Sequence, residues 1–206
     1  QLLTTVGTPD EVSGAVVSGK SIIVFGTKSA KAYARAIDVT GKELWNLSLD
    51  QSAASIATIA AVDSAGDIWV AGATPLATGL VAPTPTPTPL NPDSAAIPPS
   101  VFVGNLQAIT IWKVSPAGAL ISTTSMPTSS VLFPTAISVD KNGVSVVGII
   151  ANEKGNAGFL VNVDSAGVFT KLLQFGSVST TADAVVRHPD GTITVAGSSS
   201  CSSRTS

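Results

Sequence analysis

Few residues of this chain belong to the types that carry out chemistry. Its 206 residues include one histidine, one cysteine and one tyrosine. His188 opens the turn sequence His-Pro-Asp-Gly, where we interpret it as a surface residue and not as a general base. No Gly-x-Ser-x-Gly sequence, Walker loop or His/Cys metal spacing occurs. The sequence therefore predicts no catalytic residue, no metal site and no cofactor.

Three Asp-x-x-Gly phrases, which begin at Asp63, Asp140 and Asp164, invite comparison with calcium loops. A calcium site gathers about six to eight oxygens, largely from closely spaced carboxylates, and these phrases lack the alternating acids. An aspartate in a tight turn instead accepts hydrogen bonds from the backbone two residues further on. We therefore predict Asx turns at all three positions.

Cys201 lies in the serine-rich stretch 198–206. A single cysteine excludes a disulfide within the chain. Two interpretations stay open, namely a thiol without a role and a disulfide to a cysteine outside this sequence. Cysteine content therefore does not determine the compartment.

The secondary structure that positions these residues is predicted by a sequence motif that occurs four times. Each copy has an apolar alternation, a turn with glycine, a second alternation and a closing glycine, at Gly26, Gly72, Gly148 and Gly197. The first and last pairs of closing glycines are 46 and 49 residues apart, and the middle pair is 76 apart. Repeats of about 40–50 residues built from four short strands are typical of β-propeller blades.

Period-two alternation divides each repeat into strands A to D. The chain reads as one D strand, three complete ABCD units and a final AB pair, with blades at residues 9–49, 53–125, 132–176, and 182–197 plus 1–8. The predicted fold class is all-β, a propeller or partial propeller of about four blades of four antiparallel strands, in a single domain over 1–206. Two alternatives stay open: a four-bladed ring whose closing blade has three strands, and a piece of a larger ring, which we favour.

Composition excludes several partners. The net charge is −2 without a basic stripe, which argues against nucleic acid. No apolar run approaches the roughly 18 residues of a membrane span. No charged and apolar leader begins the chain, so we expect any signal peptide to have been removed.

Residues 76–105 form a Pro/Thr-rich insertion between strands B and C of the second blade. Proline has no N–H to donate to a ladder, so this segment is predicted to run as an extended polyproline II arm or as a mobile excursion. In propellers the B–C loops and the D–A connections open on one face, usually the ligand face. The predicted binding face comprises the B–C loops 27–31, 75–105 and 151–156. Its candidate residues are Asp10, Glu11, Lys28, Lys31, Tyr33, Asp50, Gln51, Glu153 and Lys154.

Aromatic residues are few, and most lie in predicted strands. We expect five of them to fill the space between blades: Phe25, Trp69, Trp112, Phe159 and Phe169. Tyr33 is the aromatic residue expected near the binding face.

Two segments carry a family resemblance. Residues 60–74, Ala-Ala-Val-Asp-Ser-Ala-Gly-Asp-Ile-Trp-Val-Ala-Gly-Ala-Thr, resemble the bacterial SBBP-type propeller repeat. Residues 36–45, which end in Glu-Leu-Trp45, resemble the repeat of quinoprotein-like (PQQ-type) propellers, whose Trp packs between blades. The resemblance implies the propeller fold and a secreted or envelope setting, and no particular reaction.

The sequence thus predicts an extracellular or cell-envelope module that binds or scaffolds a protein or glycan ligand without catalysis. One alternative is part of a propeller enzyme, such as a lyase, a hydrolase or a quinone-dependent oxidoreductase. The other is a structural component of a surface assembly that associates through unpaired edge strands.

Overall fold

A computed structural model describes residues 11–50, 54–75, 106–128, 130–152, 155–176 and 179–200. These residues form β-strands joined by turns and bends, without a helix. Accordingly, the described ranges contain no helix long and apolar enough to cross a membrane.

Three sheets have four strands each, and the fourth described sheet has two. Neighbouring strands pair antiparallel in sequence order, so each sheet is an up-and-down meander. The first sheet contains β1 (Glu11–Ser18), β2 (Ser21–Lys28), β3 (Lys31–Asp38) and β4 (Glu43–Ser48). The second contains β5 (Ile56–Val62), β6 (Ile68–Thr74), β7 (Ala108–Val114) and β8 (Leu120–Pro127). The third contains β9 (Leu132–Asp140), β10 (Gly143–Asn152), β11 (Gly155–Asp164) and β12 (Phe169–Phe175), and the fourth contains β13 (Ala184–Arg187) and β14 (Ile193–Ala196).

The prediction of all-β, four-stranded antiparallel units is confirmed for three sheets. All fourteen strands in the described ranges overlap the strands that alternation predicts. The three aspartate turns also form as expected. Asp63 Oδ1 accepts N–H groups of Ala65 and Asp67, and the carboxylates of Asp140 and Asp164 bind the equivalent turn amides.

The closing glycines lie opposite bulges in the first strand of each complete sheet. The pairing of β5 with β6 shifts between Ala57 and Ile59, and Gly72 pairs with Ala57 beside this shift. A Cβ atom on Gly72 would lie 1.8 Å from the carbonyl oxygen of Ile56. Only glycine lets the two backbones approach this closely. The same contact exists at the other closing glycines, Gly26, Gly148 and Gly197.

The four sheets stack face to face in sequence order, with an apolar cluster between each pair. The cluster between the first and second sheets contains Phe25 and Trp112, and the cluster between the second and third contains Trp69, Phe159 and Phe169. A smaller cluster joins the third sheet to the fourth. The prediction that these five aromatic residues fill the space between sheets is confirmed.

Successive sheets contact each other through their first strands, β1 with β5, β5 with β9 and β9 with β13. Ser13 and Ser18, near the two ends of β1, donate to the carbonyl of Ala57, near the start of β5, and to that of Gly66, in the turn after β5. Thr135 of β9 likewise donates to the carbonyl of Ala182 ahead of β13. The first strands therefore run in the same direction.

This arrangement gives the molecule two distinct ends. The turn end carries the A–B and C–D turns, residues 19–20, 39–42, 63–67, 115–119, 141–142, 165–168 and 188–192. The loop end carries the B–C connections and the D–A connections. Within the described ranges the row of sheets does not close into a ring, and a count of four blades is not established. The predicted strand at residues 1–8 and the insertion 76–105 lie outside the described residues.

Candidate functional site

Five of the nine predicted binding residues lie together at the loop end of the first sheet. Lys28 pairs with Lys31 across a two-residue turn, where Ser29 and Ala30 have φ of 48° and 62°. Glu11 pairs with Thr27, the residue before Lys28. Asp50 follows β4, whose Ser48 pairs with Tyr33, and the Ser48 hydroxyl donates to the Asp50 carbonyl. The other four predicted residues, Asp10, Gln51, Glu153 and Lys154, lie outside the described residues.

A buried serine ties this turn to the connection between sheets. Ser55 is fully buried, and its Oγ accepts the N–H of Ala32 while its own N–H donates to the Ala30 carbonyl. The turn is thereby held against the start of the second sheet. Tyr33 is 3% exposed, so its ring lies inside the protein and does not offer a stacking surface at the loop end.

The turn end holds a charged cluster between the second and third sheets, which sequence reasoning did not find. Lys113 Nζ lies 2.9 Å from Asp67 and 3.8 Å from Asp63, and 4.9 Å from the centre of the Trp69 ring. The Trp69 indole N–H donates to Asp63 Oδ2 at 2.9 Å. A cleft of about 240 Å³ beside this cluster reaches Asp140, Lys141, Gly143 and Ser165 of the third sheet.

A second polar cluster joins the third and fourth sheets. Arg187 Nε lies 3.0 Å from Asp140 Oδ1, and its Nη1 donates to the Oγ of Ser145 at 2.8 Å. Ser145, which is fully buried, in turn donates to Asn162 Oδ1. The Arg187 backbone N–H donates to the hydroxyl of Ser138. One arginine thus contacts two strands of the third sheet directly, β9 and β10, and reaches β11 through Ser145.

The pKa of the Asp140 carboxyl is subject to opposing effects. Partial burial is the largest single effect and raises this pKa, but the Arg187 guanidinium and the Asn142 amide stabilise the ionised form and lower it. Together they hold the pKa of Asp140 below its ordinary value. The carboxylate is therefore a permanent partner of Arg187 near neutral pH.

These clusters occupy equivalent positions in the repeat. Counted from the closing glycine, Trp69 and Lys113 correspond to Ile23 and Ala36 in the first sheet and to Ser145 and Asn162 in the third. The first interface is therefore apolar at this position, while the next two are polar. When the repeats are aligned in sequence, Lys113 stands where the first repeat has Ala36. A lysine at a position that is apolar in the first repeat is the sequence signal that could have revealed this cluster.

The Arg187 cluster braces the third sheet against the fourth, whereas the ion pairs of the Lys113 cluster all lie within the second sheet. Each buried charge has an opposite charge or several hydrogen bonds, which offsets the cost of removing it from water. His188 lies at the same end, where its Nε2 forms a hydrogen bond with Thr194. Within the described residues, no three His, Cys, Asp or Glu side chains lie close enough to hold a metal ion.

An apolar groove follows the outer edge of β14. It has a volume of about 420 Å³ and lies between the third sheet and the two-stranded fourth sheet. Leu160, Leu173 and Phe175 form its floor, and Ile193 and Val195 form one wall. One end is polar, with the hydroxyl groups of Thr180, Thr181, Ser198 and Ser199.

The exposure of β14 distinguishes it from its counterparts. The second strand of each complete sheet lies between two others, and every residue of β6 is buried. In β14, Thr194 and Ala196 are exposed, and Ile193 and Val195 are only half-buried. No described strand pairs with the outer edge of β14. A sheet edge and an apolar groove therefore coincide at this place.

Comparison with known proteins does not assign a family. No protein-family model matches the chain, and no curated protein matches it. A protein of unknown function from Bacteroides caccae is 16% identical with a TM-score of 0.47, over 92% of this chain and 54% of that one. An ACO/RPE65 chimera is 12% identical with a TM-score of 0.46, over 87% and 40%. A mutant of Synechocystis apocarotenoid oxygenase is 12% identical with a TM-score of 0.44, over 82% and 37%.

The chain spans about half, or less, of the length of each of these structures. At such TM-scores the similarity carries no conclusion about fold or activity.

Proposed function

We propose that this chain is a β-propeller, or part of one, that works as a non-catalytic binding or scaffold module for a protein ligand. The observation that carries the proposal is the row of first strands, β1, β5, β9 and β13, which lie side by side in the same direction. Sheets that fan out from such a row present all their B–C connections at one end, which suits a composite binding face.

The distribution of charge supports binding and not reaction. Lys113 and Arg187, the basic residues of the two polar clusters, are each held by an aspartate. At the loop end of the first sheet, Lys28 and Lys31 flank the turn between β2 and β3, and Glu11 of β1 pairs with the neighbouring Thr27. Charged residues at a loop face steer and orient a protein partner.

A protein ligand is favoured over a glycan by the state of the aromatic rings. Glycan sites stack flat rings on sugars. Phe133, near the start of β9, is 52% exposed, but the rings of Phe25, Trp69, Trp112 and Phe159 are at most 4% exposed. Tyr33 is buried as well. These rings serve the inter-sheet clusters instead.

The resemblance to SBBP-type and PQQ-type repeats is part of the proposal, as is an extracellular or cell-envelope location. Trp45 supports the resemblance, because its indole N–H donates to the Pro116 carbonyl of the next sheet at 3.0 Å. A Cβ atom on Gly118 would lie 2.5 Å from the Trp45 ring. The tryptophan therefore packs on the neighbouring sheet, as the PQQ-type repeat implies.

A second candidate function, self-association in a surface assembly, is favoured by the outermost strands. Apolar side chains on these strands are 42–51% exposed, at Leu44, Leu120, Ile121, Leu172 and Leu173. Exposed edges with apolar residues are templates for pairing with another copy.

The test places a photo-crosslinking residue either at Lys28, at the loop end, or at Lys42, at the turn end. The purified chain is then exposed to secreted and envelope proteins of its source organism and, separately, to a glycan array. We expect a protein adduct from position 28 that the Lys28→Ala/Lys31→Ala variant competes for poorly, whereas the control Lys42→Ala/Lys141→Ala variant competes normally. Adducts only from position 42, or binding to glycans alone, would overturn the proposal. Adducts between copies would favour the assembly.

A further inference from the structure

Asn142 is the one asparagine of the chain that precedes a glycine. Seven asparagines occur, and the other six are followed by Leu, Pro, Glu, Ala or Val. An asparagine side chain loses its amide when the backbone nitrogen of the next residue attacks Cγ, and a side chain on that next residue hinders the attack. Glycine has no Cβ and hinders it least. The sequence therefore distinguishes residue 142 from the other asparagines for this reaction.

The tertiary structure leaves Asn142 open to solvent. Lys141 and Asn142 are the two residues of the turn between β9 and β10, and both are exposed. Gly143 is buried and has φ of 133°, and a Cβ atom there would lie 2.1 Å from the carbonyl oxygen of Val163. The fold therefore requires glycine at position 143, directly after an exposed asparagine.

Asn142 also supports the carboxylate that holds the fourth sheet. Its backbone N–H donates to Asp140 Oδ1 at 2.8 Å, and its side-chain amide is a further donor to the same carboxylate. Asp140 Oδ1 also accepts from Arg187 Nε at 3.0 Å. Asn142 thus contacts one member of the ion pair between the third and fourth sheets.

We propose that Asn142 is a site of spontaneous deamidation and that its products loosen the fourth sheet. The Gly143 nitrogen bonds to Asn142 Cγ, the Cγ–Nδ2 bond breaks, and ammonia leaves with the proton that the Gly143 nitrogen gave up. Water then opens the cyclic imide at either carbonyl and yields aspartate or isoaspartate. Water is the only co-reactant. This inference goes beyond the proposed binding function and does not depend on it.

Both products disturb the turn. Aspartate at position 142 replaces a donor beside Asp140 by a second carboxylate, and like charges at short range repel. Isoaspartate adds one methylene to the main chain between 142 and 143, which disrupts a two-residue turn closed by the pair Asp140 and Gly143. Arg187, whose side chain is 13% exposed, then loses a well-placed partner, and a poorly paired charge is costly at such burial.

The folded turn slows the reaction without preventing it. Gly143 pairs with Asp140 at the last position of the β9–β10 ladder, so its nitrogen attacks when this pair opens. Such local opening costs less free energy than global unfolding. We expect the folded chain to react more slowly than the chain unfolded in urea. Asn142 should still react at least about tenfold faster than Asn156, which is exposed in β11 and precedes alanine.

The experiment incubates the purified chain at neutral and at mildly alkaline pH and follows residue 142 by peptide mass spectrometry. We expect the mass change of an amide converted to an acid, with aspartate and isoaspartate both present, because the imide opens at either carbonyl. The change should be faster at alkaline pH, since the attacking nitrogen must lose its proton. Asn142→Gln is the matched control. It keeps the amide, but its attack requires a larger ring, so it should stay unmodified over the same period.

Hydrogen exchange measures the effect on the fourth sheet. Asn142→Asp supplies the aspartate product directly. We expect the amides of β13 and β14 to exchange about fivefold faster in this variant and in the incubated wild type. The amides of β1 and β2, which lie far from the turn in the row of sheets, serve as the internal reference. They should keep their rates, and Asn142→Gln should behave as the fresh protein.

The deamidation site would be overturned by an unmodified Asn142 in the folded chain after about ten times the period that the unfolded chain needs. Aspartate without isoaspartate would exclude the cyclic imide. Unchanged exchange of β13 and β14 in the modified protein would overturn the link to the fourth sheet. Crosslinking from position 28 is unaffected by any of these outcomes, so this inference and the proposed function fail separately.

Discussion

At the scale of single residues, the closing glycines and the Arg187 cluster occupy confined positions where sheets or strands meet. Gly72 lets β6 cross close to the bulge at Thr58, and Arg187 holds the fourth sheet through Asp140 and Ser145. Both features depend on a single atom or group in a confined position. Conservative substitutions there are therefore informative.

Gly72→Ala is expected to destabilise the protein by more than about 2 kcal/mol, because the new Cβ would overlap a backbone oxygen that cannot rotate away. Chemical denaturation measures the change. Gly191→Ala is the control. Gly191 has φ of 85° but open space around it, so only backbone strain of about 1 kcal/mol is added. Equal losses in both variants would show that the close approach has no special role.

Asp140→Asn tests the ion pair to Arg187. Because the pKa of Asp140 is lowered in the folded protein, its contribution is fully present above the unfolded-state value of about 4. It is lost as the pH falls through the lowered folded-state pKa. We expect the variant to be less stable by about 1 kcal/mol at pH 7, and this difference to disappear at acid pH.

Melting temperatures between pH 2 and 7, at about one-unit intervals, measure this effect. Asp164→Asn is the matched control, since Asp164 accepts the turn amides of Ala166 and Val168 and forms no ion pair within the described ranges. A gap between wild type and Asp140→Asn that stays constant down to the lowest pH would contradict the assignment.

At the scale of elements, the fourth strands of the first and second sheets each reach the C–D turn of the next sheet. Trp45 of β4 donates to the Pro116 carbonyl, and Thr124 of β8 donates to the Gly167 carbonyl at 2.6 Å. Different side chains thus make the same connection in successive sheets. These contacts fix the outer edges of neighbouring sheets relative to each other.

Thr124→Val removes the hydroxyl and keeps the shape of the side chain. We expect a loss of about 1 kcal/mol, because the Gly167 carbonyl loses its donor. Calorimetry should show the melting temperature lowered by about 2–4 °C. Thr123→Val, at an exposed neighbouring position, is the control and should leave it unchanged. A larger effect at position 123 would argue against the connection.

At the scale of the whole molecule, stability comes from clusters that each join two neighbouring sheets. The cluster between the second and third sheets is the largest and contains Trp69 and Phe159, both 2% exposed. The second sheet also shares a cluster with the first. Three sheets are thus linked in series, and we expect them to unfold in one transition.

Phe159→Ala is expected to cost about 3–5 kcal/mol and to lower a single melting transition by about 10 °C. Phe133→Ala, at a side chain that is 52% exposed, should change stability by less than about 0.5 kcal/mol. Calorimetry distinguishes the outcomes. Two separated transitions in Phe159→Ala would show that the sheets on either side of this cluster fold independently.

Much of this fold follows from local signals. Alternation of apolar residues predicts the strands because it is a property of each strand alone, and the Asp-x-x-Gly turns close on their own backbone. The inter-sheet positions of Trp112 and Phe159 are predictable too, since large apolar rings within strands of a repeat must be buried between units. The five described binding residues share the loop end for the same topological reason, and their binding role stays a prediction.

The sequence by itself therefore determined the strands, their turns, the closing glycines and the order of the sheets. Only the tertiary structure decided that Tyr33 is buried, that Lys113 pairs with Asp67, that Arg187 braces the third sheet against the fourth, and that β14 borders an apolar groove. The physical reason is the sequence separation over which each interaction acts. Alternation and turn chemistry act between residues close in sequence, whereas these three features depend on which faces meet across gaps of about one repeat.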